Sequence, residues 1–458
     1  MNTLLIRNAH RLVVMDGTHD AIGTELADGA IFARNGWIER VGPTSKLPTH
    51  AHRVIDARGK VVLPGFVNTH HHLYQTMTRA VFGAESSGLF DWLKTLYPIW
   101  NRMTPDHVRV ATTLGLAELA LTGCTTAFDH QYMWPNGSSI DDQFEGAKRV
   151  GIRFHASRGS MSVGETSGGL PPDSAVEEEG TILRACEDAV EDHHDPRPGS
   201  MRQVAIAPCS PFSVSTKLMT ASAEMARRLN VRLHTHLAET VDEEAYCLEQ
   251  FGARPIEYAE SVGWLGEDAW FAHGVHVAAD EIAELARTGT GVAHCPTSNM
   301  RLASGLAPLL RYLEAGVPVG LGVDGSASND SSNMLAEARM AMLCARLSTA
   351  PGIGEPADQL SARAALWLAT RGGARLLGRT DIGSLKVGKA CDVILVDIGD
   401  IEHSGFADPV AAVVMGSARR IHTSIVHGKV VVEDQRLVNL DERELVMAHG
   451  NFSRSLLS

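Results

Sequence analysis

The chain has few cysteines and no spacing that would pair them. Seven cysteines are scattered through 458 residues, and no Cys-x-x-Cys occurs among them. An odd, dispersed set does not resemble a disulfide framework, so we expect a reducing compartment. The N-terminal residues also lack a signal-peptide pattern, and we therefore expect a cytoplasmic protein.

Positive charge and long apolar runs are scarce as well. Lysine and arginine number 41 against 54 aspartate and glutamate residues, which gives a net charge of −13. A nucleic-acid backbone requires a basic face on its partner, so we expect no nucleic-acid binding. No apolar run reaches the length that spans a bilayer, and we expect no membrane association. The composition, 44% hydrophobic and 21% charged, is that of an ordinary globular enzyme.

Short strand-like runs occupy both ends of the chain. Near the start, Asn35-Gly36 separates two such runs, which predicts a β-hairpin. Similar runs return near the C-terminal end of the chain. The simplest packing joins residues 1–60 and 380–440 into one small β-sandwich domain formed by both chain ends, with 441–458 as a C-terminal tail.

Residues 61–379 alternate apolar strand candidates with helical stretches. This alternation implies an α/β fold with a parallel sheet, and eight such units predict a closed (β/α)8 TIM barrel. A doubly wound open sheet is the alternative, but no Gly-x-Gly-x-x-Gly opens a helix after the first strand. The strand candidates are Val61–Asn68, Thr125–Asp129, Arg153–Ser157, Gln203–Ala207, Val231–His236, Trp270–His273, Gly291–His294 and Val317–Val323.

Histidines and one aspartate stand at the ends of four of these strands. His70 and His72 follow strand one and point to the same side, because side chains alternate faces along a strand. His236 ends strand five, His273 ends strand six and Asp324 follows strand eight. Barrel enzymes carry their chemistry at the carboxyl ends of the strands, so we expect these side chains to converge on one mouth.

Imidazoles with one carboxylate predict a bound divalent metal ion. This donor set suits Zn²⁺, with Fe²⁺ as the alternative. A catalytic metal lowers the pKa of the water that it binds. Glu239 lies three residues beyond His236, where it can approach that water without being a ligand, and it is our candidate proton shuttle.

The ordered motifs resemble the amidohydrolase superfamily, in its mononuclear deaminase and chlorohydrolase branch. The resemblance covers nearly the whole chain and rests on Pro64–His72, His236–Glu239, His273 and Asp324. Members with two metals typically bridge them with a lysine on strand four, and Gln203–Ala207 contains none, which favours one ion.

The resemblance implies a role for each site residue. His70, His72, His236 and Asp324 are implied to be the metal ligands. Glu239 is implied to deliver a proton to a ring nitrogen, while Asp324 also accepts the proton of the water. By the same resemblance, His273 orients the water or stabilises the tetrahedral adduct. We expect two further histidines of these motifs to be structural, and these are His71 and His234.

The substrate-binding residues are harder to find in the sequence. Gln75 follows the first motif within one helical turn and could read an amide edge of a ring. Trp92 and Arg158 are further candidates, which we place in loops above strands one to three. Within the superfamily, Asp129–Tyr132 and Ala207–Pro211 look most like the corresponding segments of 8-oxoguanine deaminases.

These observations together predict a metal-dependent aminohydrolase for a small heterocyclic substrate. The reaction replaces an exocyclic amine of a purine-like ring with oxygen, and the best match is 8-oxoguanine to urate plus ammonia. The alternatives are a triazine or pterin amino- or chlorohydrolase and an adenosine-type deaminase. A non-catalytic barrel is a further alternative, which the complete ligand set and Glu239 disfavour. We also expect a homo-oligomer.

Overall fold

Three β-sheets organise the part of the chain that the computed structural model describes, which is residues 2–348, 359–417 and 420–458. One sheet has eight strands that pair in parallel in chain order, and two smaller sheets lie beside it. The predicted fold class is confirmed: a (β/α)8 barrel carries a small β-sandwich domain to which both chain ends contribute.

The strands are short and are numbered here in chain order. They are β1 (Thr3–Ala9), β2 (Arg11–Val13), β3 (Glu25–Leu26), β4 (Gly29–Arg34), β5 (Trp37–Pro43), β6 (Arg53–Asp56), β7 (Lys60–Pro64), β8 (Phe66–Asn68), β9 (Cys124–Asp129), β10 (Arg153–Ser160), β11 (Arg202–Pro208), β12 (Arg232–Leu237), β13 (Ala269–His273), β14 (Gly291–His294), β15 (Val319–Leu321), β16 (Val393–Asp397), β17 (Thr423–Val426), β18 (Lys429–Glu433) and β19 (Arg436–Leu437).

The α-helices alternate with the barrel strands along most of the chain. They are α1 (Leu89–Trp100), α2 (Pro105–Leu121), α3 (Ile140–Val150), α4 (Glu179–His193), α5 (Thr216–Leu229), α6 (Val241–Phe251), α7 (Pro255–Ser261), α8 (Ala279–Thr288), α9 (Pro296–Arg301), α10 (Leu309–Ala315), α11 (Met334–Leu347), α12 (Ala362–Trp367), α13 (Gly373–Leu376), α14 (Pro409–Met415) and α15 (Glu442–Leu457). Within the described ranges, none of these helices combines the length and the apolar content that a bilayer span requires.

Strands β8 to β15 form the barrel, and its seam is closed by backbone hydrogen bonds. The Thr69 N–H, directly after β8, donates to the Leu321 carbonyl of β15 at 2.9 Å. The predicted first strand, Val61–Asn68, is in fact two strands. Its first half, β7, pairs with β16 of the sandwich domain, and its second half, β8, pairs with β9 of the barrel.

Gly65 lies at the break between these two strands and allows the chain to change sheets. A Cβ atom at this position would lie 2.1 Å from the Thr125 hydroxyl oxygen on β9, so only glycine fits the close approach. The other predicted barrel strands agree with the structure to within a few residues; the eighth is shorter than predicted and spans Val319–Leu321.

The sandwich domain contains two sheets. The strands of one sheet all come from the N-terminal end of the chain, and the other sheet combines strands from both ends. The four-stranded sheet, β5-β4-β1-β6, includes the predicted hairpin across Asn35-Gly36. The seven-stranded sheet joins β2, β3 and β7 to the C-terminal strands β16 to β19. The apolar residues between the two sheets form one core cluster, which includes Leu4, Ile31 and Val393. The domain boundaries proposed from the sequence remain predictions.

The C-terminal segment 441–458, predicted as a tail, forms helix α15. Its side chains bond to the short 3-10 helix Leu73–Thr78, which directly follows the histidine motif. The His449 Nε2 lies 3.2 Å from the Thr76 hydroxyl, and the Ser453 hydroxyl donates to the Met77 carbonyl at 2.7 Å. Helix α15 therefore supports the segment that carries Gln75.

A buried ion pair connects the barrel to the sandwich domain. The guanidinium of Arg153, on β10, donates to both carboxylate oxygens of Asp392, at 2.7 and 3.1 Å. Asp392 also accepts the His427 N–H at 2.7 Å, and Arg153 also donates to the Gly199 carbonyl at 2.5 Å. Every charge in this junction is satisfied, so removal of one partner leaves the other buried and unpaired.

Arg153→Ala should lower the free energy of unfolding by about 3–5 kcal/mol, because Asp392 would remain charged without a partner. The matched control is Arg53→Ala, which removes an exposed pair with Glu433 and should cost about 0–1 kcal/mol. Urea denaturation of both variants, followed by circular dichroism, measures the difference. Equal shifts of the two denaturation midpoints would contradict a special role for the buried pair.

Candidate active site

The four side chains predicted as metal ligands converge at the carboxyl end of the barrel. The Nε2 atoms of His72 and His236 lie 3.0 Å apart. The Oδ1 atom of Asp324 lies 3.2 Å from the Nε2 atoms of both His70 and His72. All four side chains are buried. These residues come from three places that are far apart in the sequence: after β8, within β12 and after β15. The barrel brings them to one point.

The other nitrogen of each histidine ring is held by a partner outside the cluster. His72 Nδ1 donates to the His130 carbonyl at 2.6 Å, and His236 Nδ1 donates to the Cys209 carbonyl at 2.7 Å. A carbonyl can only accept, so each Nδ1 carries the proton and each Nε2 of the neutral ring presents a lone pair. His70 Nδ1 is likewise 2.8 Å from His234 Nε2.

Burial keeps the rings of His70 and His236 neutral. It lowers the pKa of His70 to about 3 and that of His236 well below its ordinary value. Neutral imidazoles are the form that binds a metal. Two lone pairs that face each other at 3.0 Å repel unless a cation lies beside them, and the His70 Nε2 and Asp324 Oδ1 atoms have no hydrogen-bond partner among the described residues. The donor set therefore fits a divalent metal ion.

Asp324 is oriented by hydroxyl groups on its far side. The Ser298 and Ser328 hydroxyls donate to its Oδ2 atom at 2.5 and 3.0 Å, which leaves Oδ1 facing the histidines. Groups of this kind fix the direction of a metal ligand and are characteristic of metal sites.

The backbone is strained at three positions in this mouth. Ala238, His273 and Asp324 have φ angles of +55°, +75° and +62°, in the left-handed region that residues other than glycine rarely adopt. Ala238 and Asp324 follow barrel strands, and His273 ends one. At each position the chain turns, which directs that residue's side chain, or the side chain of the next residue, toward the cluster. Strain of this kind, concentrated at one mouth, is typical of functional sites.

Glu239 and His273 lie next to the cluster. The Glu239 carboxylate is 3.6 Å from His273 Nε2, and His273 Nδ1 donates to the Asn299 side-chain oxygen at 2.9 Å. Burial, with a smaller contribution from the charge of Asp324, raises the pKa of Glu239 to about 8. The carboxyl group therefore holds a proton at neutral pH, as an acid that protonates a substrate must.

A second glutamate that the sequence analysis missed holds Glu239 in place. The Glu243 carboxylate accepts the backbone N–H groups of Ala238 and Glu239 at 2.9 and 2.7 Å. It is fully buried in the first turn of α6. The spacing Thr240-x-x-Glu243 resembles a capping box and is the signal that could have identified it.

The two histidines expected to be structural have partners outside the ligand cluster. His71 Nε2 is 2.8 Å from the Ser332 hydroxyl. His234 Nδ1 donates to the Trp270 carbonyl at 3.0 Å, so its Nε2 is the acceptor for the His70 proton. His130 was missed, although it directly follows a predicted strand: its carbonyl holds His72, and its ring stacks on His236 at 4.7 Å.

A small cavity opens onto the cluster, and the cluster residues His72, His236 and Asp324 form part of its lining. Gln75 and Trp92, two of the predicted substrate-binding residues, line it. Gln75 is fully buried, its Oε1 accepts from the Ala327 N–H at 3.4 Å, and its Nε2 has no partner among the described residues. Trp92 lies on helix α1, not in a loop, and donates to the Ala327 carbonyl at 3.1 Å.

Arg158, the third substrate-binding candidate, does not lie among the residues that line this cavity. It belongs to strand β10, not to a loop, because β10 continues to Ser160. Its guanidinium pairs with Glu177 at 2.7 Å and lies 5.0 Å from the ring centre of Trp134. These contacts engage the Arg158 side chain outside the cavity.

Helix α1 forms a wall of the cavity that the sequence analysis did not predict. Its cavity-lining residues include Leu89, Leu93 and Tyr97. The signal was present as an apolar spacing typical of a helix with one buried face, at positions 89, 92, 93, 96, 97 and 100.

Comparisons with known proteins agree with this geometry. The chain is 46% identical to an 8-oxoguanine deaminase from Pseudomonas aeruginosa, over 100% of both chains. It is 37% identical to a hydroxydechloroatrazine ethylaminohydrolase from Pseudomonas sp. strain ADP, over 100% of this chain and 96% of that one. It superposes with a TM-score of 0.91 on the atrazine chlorohydrolase from Arthrobacter aurescens TC1 complexed with zinc, at 34% identity, covering 98% of this chain and 100% of that one.

The family profile that matches the chain is the amidohydrolase family, over residues 61–431. This match spans the whole barrel and the strands that return to the sandwich domain. It confirms the family expected from the motifs, and the chain therefore belongs to the amidohydrolase family.

Proposed function

We propose that the chain is a metal-dependent aminohydrolase that converts 8-oxoguanine to urate and ammonia. The observation that carries this proposal is a buried glutamate, Glu239, whose pKa is raised by burial, beside a cluster of metal-binding donors that lines a cavity. Identity of 46% over the full length to an 8-oxoguanine deaminase supports the choice of ring.

His70, His72, His236 and Asp324 would hold one divalent ion. We infer Zn²⁺, supported by the zinc complex of the related atrazine chlorohydrolase, with Fe²⁺ as the alternative. The ion, when bound, lowers the pKa of water and so supplies hydroxide at neutral pH.

The residues of the chain then move the protons. Asp324 presents Oδ1 to the cavity and accepts a proton from the attacking water, while Glu239 gives its proton to a ring nitrogen. His273, whose Nδ1 donates to Asn299, presents Nε2 as an acceptor that orients the attacking water. Asp324 then passes its proton to the exocyclic amine, the carbon–nitrogen bond breaks, and the amine leaves as ammonia. The hydroxyl proton of the adduct returns to Glu239, and the oxygen of the water stays on the ring as a carbonyl.

A triazine aminohydrolase is the second candidate. Identity of 37% over the whole chain to hydroxydechloroatrazine ethylaminohydrolase supports it. The deciding experiment is ammonia release measured over 8-oxoguanine, guanine, isoxanthopterin, adenosine and aminotriazines, with ethylamine release measured for ethylamino-triazines. The proposal requires the highest kcat/KM with 8-oxoguanine; a triazine that exceeds it would replace the proposed substrate.

The cellular setting and the assembly of the chain remain predictions. All seven cysteines are unpaired and buried, which supports a reducing compartment such as the cytoplasm. The expected homo-oligomer is tested by light scattering of the purified protein.

The metal content should be about one ion per chain, because one set of three histidines and one aspartate is complete. Strand β11 carries no lysine that could bridge a second ion. Elemental analysis of active protein measures the ratio, and chelation should remove the activity until Zn²⁺ or Fe²⁺ is returned. A reproducible value near two ions in active protein would disprove the single site.

Glu239→Gln should retain the metal and lose activity by roughly 10²–10⁴-fold, since an amide cannot deliver the proton. Glu249→Gln, an exposed carboxylate on the same helical region, is the control and should leave turnover unchanged. Elemental analysis and kcat for both variants provide the comparison. Turnover near the wild-type rate in fully loaded Glu239→Gln would show that another group moves the proton.

Gln75→Ala should weaken kcat/KM for the true substrate by about 1–3 kcal/mol, the cost of an unmade hydrogen bond in a buried site. The Nε2 atom of Gln75 is free to donate, so the loss should be smaller for rings without an acceptor on that edge. Fold and metal content should not change. A uniform loss for two different rings, or a loss of metal, would instead assign Gln75 a supporting role near the histidines.

A further inference from the structure

One face of helix α1 is buried, and three side chains on that face end in an N–H or O–H group. The indole N–H of Trp92 donates to the Ala327 carbonyl at 3.1 Å, and the indole N–H of Trp100 donates to the Thr78 hydroxyl at 2.9 Å. The hydroxyl of Tyr97, on the same face, has no hydrogen-bond partner among the described residues. The tyrosine is fully buried and lines the cavity.

Several buried hydroxyls of the described residues lack a partner, among them those of Thr112, Ser157 and Ser424, but of these unpartnered hydroxyls the one that lines the cavity is that of Tyr97. Tyr258 and Tyr312 bond to the Thr216 hydroxyl and the Gly274 carbonyl, at 3.4 and 2.6 Å. Tyr74 also lacks a partner, but it does not line the cavity. A buried polar group without a partner is costly, and such a group in a binding cavity is satisfied when a ligand supplies the partner.

The polar atoms free to bind a ligand on this side of the cavity are donors. Burial raises the pKa of Tyr97 well above its ordinary value, so the hydroxyl keeps its proton. The side-chain amide of Gln75 offers a free N–H in the same cavity. Other lining residues, including Leu89, Leu93 and Phe212, are apolar and select a flat ring without adding polar contacts. Two donors beside these apolar side chains match acceptors on the ring.

We propose that Tyr97 is a specificity-determining residue whose hydroxyl donates a hydrogen bond to an oxo oxygen of the ring substrate. This inference rests on the proposed function and identifies an oxo group as the feature of the aminopurine ring that Tyr97 recognises. Rings without an oxo group leave the hydroxyl unpaired and are disfavoured for that reason.

The test is Tyr97→Phe, which removes one oxygen atom and preserves the ring. We expect kcat/KM for 8-oxoguanine to fall about 5- to 150-fold, the effect of one lost hydrogen bond in a buried site. The inhibition constant of 2-aminopurine, which keeps the 2-amino group but has no oxo group, should change less than about twofold, since it never made this bond. Metal content and thermal stability should match those of the wild type.

Tyr258→Phe is the matched control, because it removes a buried tyrosine hydroxyl on helix α7, away from the cavity. It should leave both constants unchanged. Equal losses for the two ligands, no loss for either, or a loss of metal or fold in Tyr97→Phe would overturn the inference. If the wild-type enzyme releases no ammonia from oxopurines, the proposed function itself fails, whereas an active wild type with an unchanged Tyr97→Phe ratio rejects the role of Tyr97 alone.

Discussion

The site depends on one electrostatic constraint: several lone-pair donors are held together where water cannot separate them. His72 and His236 face each other through Nε2 atoms that carry no proton, because each Nδ1 donates to a carbonyl. Asp324 adds a negative oxygen within 3.2 Å of His72. Such an arrangement is costly without a cation and favourable with one, so the geometry of the mouth is that of a metal site before any metal binds.

The barrel supplies this arrangement through the ends of its strands. The carbonyls of His130 and Cys209 lie directly after β9 and β11 and accept from the imidazoles of His72 and His236. The Cys209 carbonyl also accepts the backbone N–H of His236 at 3.1 Å. The first strand reaches the mouth only because Gly65 lets the chain pass from the sandwich sheet into the barrel. The sandwich domain thus anchors the strand that delivers the histidine pair, while the barrel orients their rings.

The barrel fold and the meeting of the site histidines with Asp324 could be predicted because they follow from local sequence patterns. Alternation placed His70 and His72 on one side, and the strand ends placed His236, His273 and Asp324 at one mouth. The contacts that were missed are long-range or lie on elements whose role depends on packing. Helix α1 shows its spacing in the sequence, but only the folded chain places it over the cavity. Arg158 was misplaced because its strand runs three residues further than predicted, to Ser160.

The same enclosure serves both the chemistry and the choice of ring. Helix α1 lines the cavity and is tied by Trp92 to the loop that follows Asp324. Burial is the main cause of the raised pKa of Glu239. A wider mouth would admit larger rings, but it would also hydrate this carboxyl and lower its pKa toward that of an ordinary glutamate. Under the proposed function, proton delivery by Glu239 and the selection of the ring therefore depend on the same wall of the cavity.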